Sequence, residues 1–350
     1  MKLVWQSKWT LWAGLAVAVI AVVLAPLLLN DFRLALLAKY LCYAMVAVGI
    51  GLAWGQGGML TLGQGLFFGL GGYIMAMHMK LADAKGGVPD FMSLYGTGEV
   101  PIWWEPFRSP GVTLVAIVAV PALAALILGW AVFTRGVRGA YFAILSQALV
   151  YAFALLLVNQ QQTTGGTNGL NGFKGFFGLA LSDPANKRML YFIAAGVLVA
   201  MVIATRALMR SRFGELLIAV RDQENRVRFL GYDPAWTKVF AYVIAAVFAG
   251  IGGALFVPIV GIISPANVGV TPSILFLAGV VIGGRTTLLG PVLGTIGLRF
   301  VETQLSETYP AFWTYFQGAL FILVICFLPQ GMASIGTWLK WLRRRREVTA

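Results

Sequence analysis

Residues 206–238 read RALMRSRFGELLIAVRDQENRVRFLGYDPAWTK, and the reading of this stretch decides the reading of everything around it. It holds seven of the 26 Lys and Arg and four of the 13 Asp and Glu, in a chain that is 59% hydrophobic and 11% charged. Long apolar segments flank it, so it reads as a soluble island held against a membrane. Phe213, Leu216, Leu217 and Val220 fall at i, i+3, i+4 and i+7, which is one face of a short helix. Val227 and Leu230 extend a second apolar edge, and Gly231 supplies a stop. Such a helix either lies in the lipid interface or docks in the groove of a cytosolic protein. The acids Glu215, Asp222, Glu224 and Asp233, interspersed with bases, suit a protein groove better than a lipid surface.

Outward from the island, a mean hydropathy of +0.83 and repeated apolar runs near 20 residues describe an all-α polytopic membrane protein, one transmembrane domain over residues 1–350. The net charge of +13 sits in short clusters beside apolar runs, as topology signals do, and no nucleic-acid partner is expected. The first expected span is Trp9–Leu29, anchored by Trp5, Trp9 and Trp12; Lys2 and Lys8 resemble the start of a signal peptide, but the run is long enough to be retained as a helix. The second is Leu34–Trp54. Then GQGGMLTLGQGLFFGLGGY, residues 55–73, has eight glycines in 19 residues, predicting a break followed by a thin-faced helix that ends near Lys80. Gly65 and Gly69 suit close helix approach. Further spans are expected at Val112–Phe133, Ala140–Val158, Leu190–Thr205, Val239–Val260 and Phe312–Leu328. Between the last two, SILFLAGVVIGGRTTLLGPVLGTIGLRF, residues 273–300, is interrupted at Gly283-Gly284-Arg285 and Gly290-Pro291 and predicts two shorter helices.

Counting that broken segment as two gives about ten crossings. The N-terminus, the 134–138 turn, the island and the tail from Lys340 then share one side and hold 2, 2, 7 and 5 Lys or Arg, 16 of the 26. The positive-inside rule puts both termini and residues 206–238 in the cytosol. Loops 81–111 and 159–188 face outward.

Absences narrow the function. There is no Gly-Lys dipeptide, hence no phosphate loop of the Walker type. Asp and Glu are missing from span interiors apart from Glu302, which disfavours an ion-driven carrier. His78 reads as an interfacial histidine, Cys42 and Cys326 as small apolar-segment residues, and no catalytic or metal-ligating constellation can be assembled. The polar groups inside are neutral: Gln56, Thr61 and Gln64 in the glycine-rich stretch, Ser146 and Gln147 in the fifth span. They either tie helices together or line a path for a polar, uncharged solute. Gly57-Gly58-x-x-Thr61-Leu62-Gly63 is echoed by Gly283-Gly284-x-x-Thr287-Leu288-Leu289-Gly290, and paired interruptions of this sort point to a transport site.

Three stretches, the glycine-rich opening, FGELLIAVRDQENRVRFLGYDPAWTKVFAYVIAAVFAGIGGALF and GGRTTLLGPVLGTIG, resemble the membrane permeases of branched-chain amino-acid-type ABC importers, from about Leu34 to Pro329. VPDFMSLYGTGEVPIWWEPFRSP, NQQQTTGGTNGLNGF and the His78-Met79-Lys80 end of the third span look like the urea-type member. The resemblance implies the ABC importer permease fold in a bacterial inner membrane, a homologous second permease, two ATPase subunits that carry the ATP and Mg, and a periplasmic substrate-binding protein. It makes the island the ATPase coupling loop, with Glu215, Leu217, Val220, Arg221, Glu224, Arg226 and Gly231 as its candidates, although ENRVRFL ahead of Gly231 departs from the Glu-Ala-Ala-x3-Gly pattern of other ABC permeases. Lipid is the remaining partner.

The expected function is therefore a non-enzymatic permease subunit translocating urea, with Gln56, Thr61, Gln64 and Gln147 along the path. A permease for branched-chain amino acids or short amides is the near alternative. A passive channel for a small neutral solute is the alternative of another class, and it has no need of a mixed-charge island.

Overall fold

The computed structural model describes Val22, residues 24–309 apart from Thr97 and Arg138, and Tyr315, Gly318 and Ala319. Most of the expected first span, the last span with Cys326, and the basic tail lie outside the described residues.

Helices begin where the chain offers a cap. Asp183 and Asp233 each precede a proline, and each carboxylate accepts from the backbone N–H two residues on, at 3.0 and 2.8 Å. The Asp supplies the capping acceptor and the Pro, lacking an N–H, costs nothing in the first turn. The helices in chain order are α1 (Asp31–Ile50), α2 (Gln64–Asp83), α3 (Asp90–Tyr95), α4 (Pro110–Phe133), α5 (Ala140–Asn159), α6 (Gln161–Thr164), α7 (Pro184–Arg210), α8 (Arg212–Phe229), α9 (Pro234–Val260), α10 (Pro265–Val268), α11 (Val270–Gly283) and α12 (Gly290–Thr308). A wider π-helical turn, Gly51–Gln56, prolongs α1.

Six helical segments among the described residues are long and apolar enough to cross a membrane: Asp31–Gln56, Pro110–Phe133, Ala140–Asn159, Pro184–Arg210, Pro234–Val260 and Pro265–Gly283. The expected ten crossings are not established. Glycines, Gln64, His78 and Lys80 dilute the apolarity of α2, and Arg299 and Glu302 that of α12. Both broken segments fall where the glycines predict, at residues 57–63 and 284–289.

The core is built on α9, which packs most extensively on α2, then on α4 and α1. The α1 span is 78% buried and the α4 span 22%, so α1 lies inside the bundle while α4 shows most of its surface, with Leu114, Val115, Leu123 and Ile127 exposed. A helix apolar all round can do this only toward lipid. Contact between α2 and α9 runs backbone to backbone: a Cβ on Gly71 would sit on the carbonyl oxygen of Gly250, and one on Gly253 on that of Phe68.

Two loops read as facing the same side do meet. Leu170 and Asn171 (β1) pair antiparallel with Ile262 and Ile263 (β4), and Gly175–Phe176 (β2) with Leu179–Ala180 (β3). These two-residue ladders are a small departure from an all-helical chain; Leu170 and Ile263 in the first are buried, where backbone must find partners, while Leu179 and Ala180 in the second are exposed. Asp83 at the end of α2 receives the N–H groups of Lys174 and Gly175, and the buried His78 ring shares a 2.7 Å hydrogen bond with the Phe107 carbonyl.

Replacing Gly253 by Leu should cost about 3 kcal/mol or more, because the obstructing atom is backbone and cannot rotate away. Thermal unfolding of the purified chain in detergent checks this; a Gly196→Leu control, with open space around it, should unfold like the parent.

Candidate functional site

The break after α1 is a wound and anchored loop. Gly57, Gly58 and Met59 donate back to Leu52, Trp54 and Ala53, and Gly58 takes φ +71°, a conformation in which a side chain is strained. The loop is then strapped to two helices. The Leu62 N–H donates to Ser146 Oγ on α5 at 3.1 Å, and Thr61 hydrogen-bonds the buried Tyr242 hydroxyl on α9. Gly63 lies so close to α5 that a Cβ there would be 2.9 Å from Ser146 Cβ.

This strapping sets Gly63 against Ser146, and Gln64 and Gln147 are the next residues along their helices. Both carboxamides are buried, and neither Nε2 nor Oε1 of either has a hydrogen-bond partner in the protein. A buried amide without partners costs about 1–3 kcal/mol, so each is a polar group that the fold itself leaves unsatisfied. Gln56 and Thr61 behave differently. Gln56 Nε2 donates to the Thr286 carbonyl at 3.1 Å and the Thr61 hydroxyl is engaged by Tyr242, so both hold helices together.

The island forms α8, as its pattern predicts, with one interruption: Gln223 takes φ −149°, ψ 66° and splits the helix into two arms. The apolar face of the first arm turns inward. Leu217 is 0% exposed and Val220 2%, and a Cβ on Gly57 would meet Leu217 Cδ1 at 3.2 Å. Leu217 and Val220, expected among the coupling residues, are covered by the chain's own bundle: an amphipathic helix beside a bundle spends its apolar face on that bundle first. Arg221 also faces the bundle, donating from Nη1 to the Gly55 carbonyl at 2.9 Å while pairing with Asp222. Glu224 is joined to Lys238 of α9 at 2.8 Å with both side chains largely buried. Glu215, Arg226 and Gly231 are exposed. The apolar residues on offer lie past the hinge, where Phe229 is 91% and Leu230 76% exposed, beside exposed Tyr232 and Trp236.

A cation lies in the interior of the bundle. Arg299 is 6% exposed, pairs with Glu302 at 2.7 Å, and sets its guanidinium 4.2 Å from the centre of the Tyr43 ring. In the sequence its signal is Arg and Glu at i, i+3, following the apolar start of that helix.

The family described as branched-chain amino acid transport system / permease component matches residues 32–325. The high-affinity branched-chain amino acid transport system permease protein LivM of Salmonella typhimurium is 27% identical over 340 residues, covering 91% of this chain and 73% of its own. LivM of Escherichia coli K12 is 27% identical over 312 residues, covering 83% and 67%. LivH of the same organism is 22% identical over 307 residues, covering 83% and 90%. No solved structure matches.

The Glu224–Lys238 pair anchors the second arm, and Lys238→Met, which removes the 2.8 Å partner of the largely buried Glu224 carboxylate and leaves the longer contact with Arg228, should lower unfolding stability by about 3 kcal/mol. Adding Glu224→Gln to that variant should restore part of the loss; equal melting of parent and single variant would show the pair to be inert.

Proposed function

This chain belongs to the branched-chain amino acid transport permease family, and from that premise we propose that it is the urea-translocating permease subunit of an ATP-driven importer. The observation that carries the cargo reading is the pair of open carboxamides at Gln64 and Gln147. Urea has one carbonyl acceptor and four N–H donors without net charge, and a carboxamide supplies the complementary groups of both kinds. A charged lining would add desolvation cost with no opposite charge on the cargo to offset it. Branched-chain amino acids are the second reading. The relatives' own names favour it, and so does buried Arg299, a cation that could meet a carboxylate inside the membrane.

The chain contributes passage; ATP and Mg belong to two partner ATPases, with a homologous permease and a periplasmic binding protein completing the assembly. The proposed ATPase-facing surface is the second arm of α8, with Phe229, Leu230, Tyr232 and Trp236 as apolar anchors and Arg226 at a charged rim. Both termini and residues 206–238 are placed in the cytosol by the clustered basic residues.

Uptake of labelled urea against labelled leucine, in vesicles holding the full assembly, tests the cargo. Gln64→Leu should lower urea uptake about tenfold, the equivalent of one hydrogen bond, with ATPase association unchanged. Leucine uptake without urea uptake would replace the cargo and keep the permease. Joint replacement of Phe229 and Leu230 by Asp should weaken co-purification of the ATPases at least about tenfold; unchanged recovery would move the docking surface elsewhere. For orientation, Gln223→Cys in a background free of other cysteines should react with an impermeant reagent only from the cytosolic side.

A further inference from the structure

The two glycine breaks are residues 57–63 and 284–289.

They are built alike. In each, the second glycine of the Gly-Gly pair takes a positive φ, +71° at Gly58 and +97° at Gly284. In each, the threonine three residues later accepts a backbone N–H from the closing glycine: Gly63 to Thr61 Oγ1 at 3.3 Å, Gly290 to Thr287 Oγ1 at 3.0 Å. The echo in the sequence is thus an echo in conformation.

They are also packed on each other. Gln56 donates to the Thr286 carbonyl, a Cβ on Gly55 would fall on the Arg285 carbonyl oxygen, and one on Gly51 would be 2.9 Å from Pro291 Cγ. Arg285 lays its guanidinium 4.8 Å from the centre of the Trp54 ring. From the other side Arg221 of α8 donates to the Gly55 carbonyl, and its Cγ would lie 2.8 Å from a Cβ on Gly58. The first break is therefore held between two arginines, one from the island and one from the second break.

We infer that the two breaks move as one gate, with Arg221 and Arg285 as positioning residues that tie the first arm of α8 to it. Displacing α8 pulls on Gly55 through Arg221, and the first break carries the second with it through Gln56 and Arg285. The significance for transport rests on the permease reading above; the mechanical linkage of the breaks does not.

Hydrogen exchange on the full chain in lipid nanodiscs tests the linkage without cargo or partners. Arg221→Met keeps the stem that packs on Gly58 and removes the donor to Gly55. It should speed exchange about tenfold in residues 57–63 and also in residues 284–289, which Arg221 does not hydrogen-bond. Arg285→Met should speed exchange in residues 57–63 in return, and Arg221→Lys, which retains a donor, should bring both breaks back toward the parent rates. Faster exchange confined to residues 57–63 in Arg221→Met would overturn the single gate, as would independent responses of the two breaks in Arg285→Met. Failure of urea or leucine uptake in the vesicle assay would instead bear on the transport reading alone.

Discussion

The close approach of α2 and α9 sets the terms for the rest of the bundle. Inside a bilayer lipid is as apolar as leucine, so helices gain little by merely hiding apolar surface from it. What holds them is contact dense enough to beat the contacts lipid would make. Gly71 against Gly250 and Gly253 against Phe68 bring the two backbones together where any side chain would hold them apart. Around that axis Phe68 of α2 and Phe256 of α9 meet Tyr43 of α1 and Phe276 of α11 in one aromatic cluster, with ring centres 5.3 to 5.9 Å apart. A thin, glycine-rich α2 can therefore lie in the middle of the protein although it is poorly apolar itself.

The position of α2 determines where the polar groups go. Gln64 opens that helix and is buried because the helix is buried. The loop ahead of it must tuck its backbone against α5 and α9, which Leu62, Thr61 and Gly63 accomplish with one hydrogen bond, one hydroxyl contact and one missing side chain. The two open carboxamides follow from this arrangement. So does the inward face of α8, whose Leu217 and Arg221 cover the loop from below and leave the part of the helix beyond Gln223 to present Phe229 and Leu230.

Charge is distributed by the same logic of satisfaction. Asp183 and Asp233 cap helices, Asp83 collects loop N–H groups, and Glu224 meets Lys238. Arg299 sits deep with Glu302 on its Nη1 and the face of Tyr43 against its guanidinium, while its Nε and Nη2 find no hydrogen-bond partner in the protein. A count of isolated residue types along a span misses such a site, since what makes an interior cation tolerable is a carboxylate one turn away and a ring on another helix.

Much of the architecture is determined by the sequence alone. Apolar run length set the long spans, Asp183-Pro184 and Asp233-Pro234 set two of the helix starts, and paired glycines set both breaks, because each of these acts through a residue's immediate neighbours. The island's helix was legible for the same reason, from the spacing of Phe213, Leu216, Leu217 and Val220. The direction in which that helix faces was not. A periodic apolar face says that something covers it, and only the folded bundle decides whether the cover is the chain's own Gly57 or another protein. Likewise four neutral side chains looked equivalent along the chain, and the tertiary structure separated them: Gln56 and Thr61 found partners on distant segments, while the buried carboxamides of Gln64 and Gln147 found none in the protein. Hydrogen-bond satisfaction is a property of what surrounds an atom in space, and residues far apart in sequence supply those surroundings.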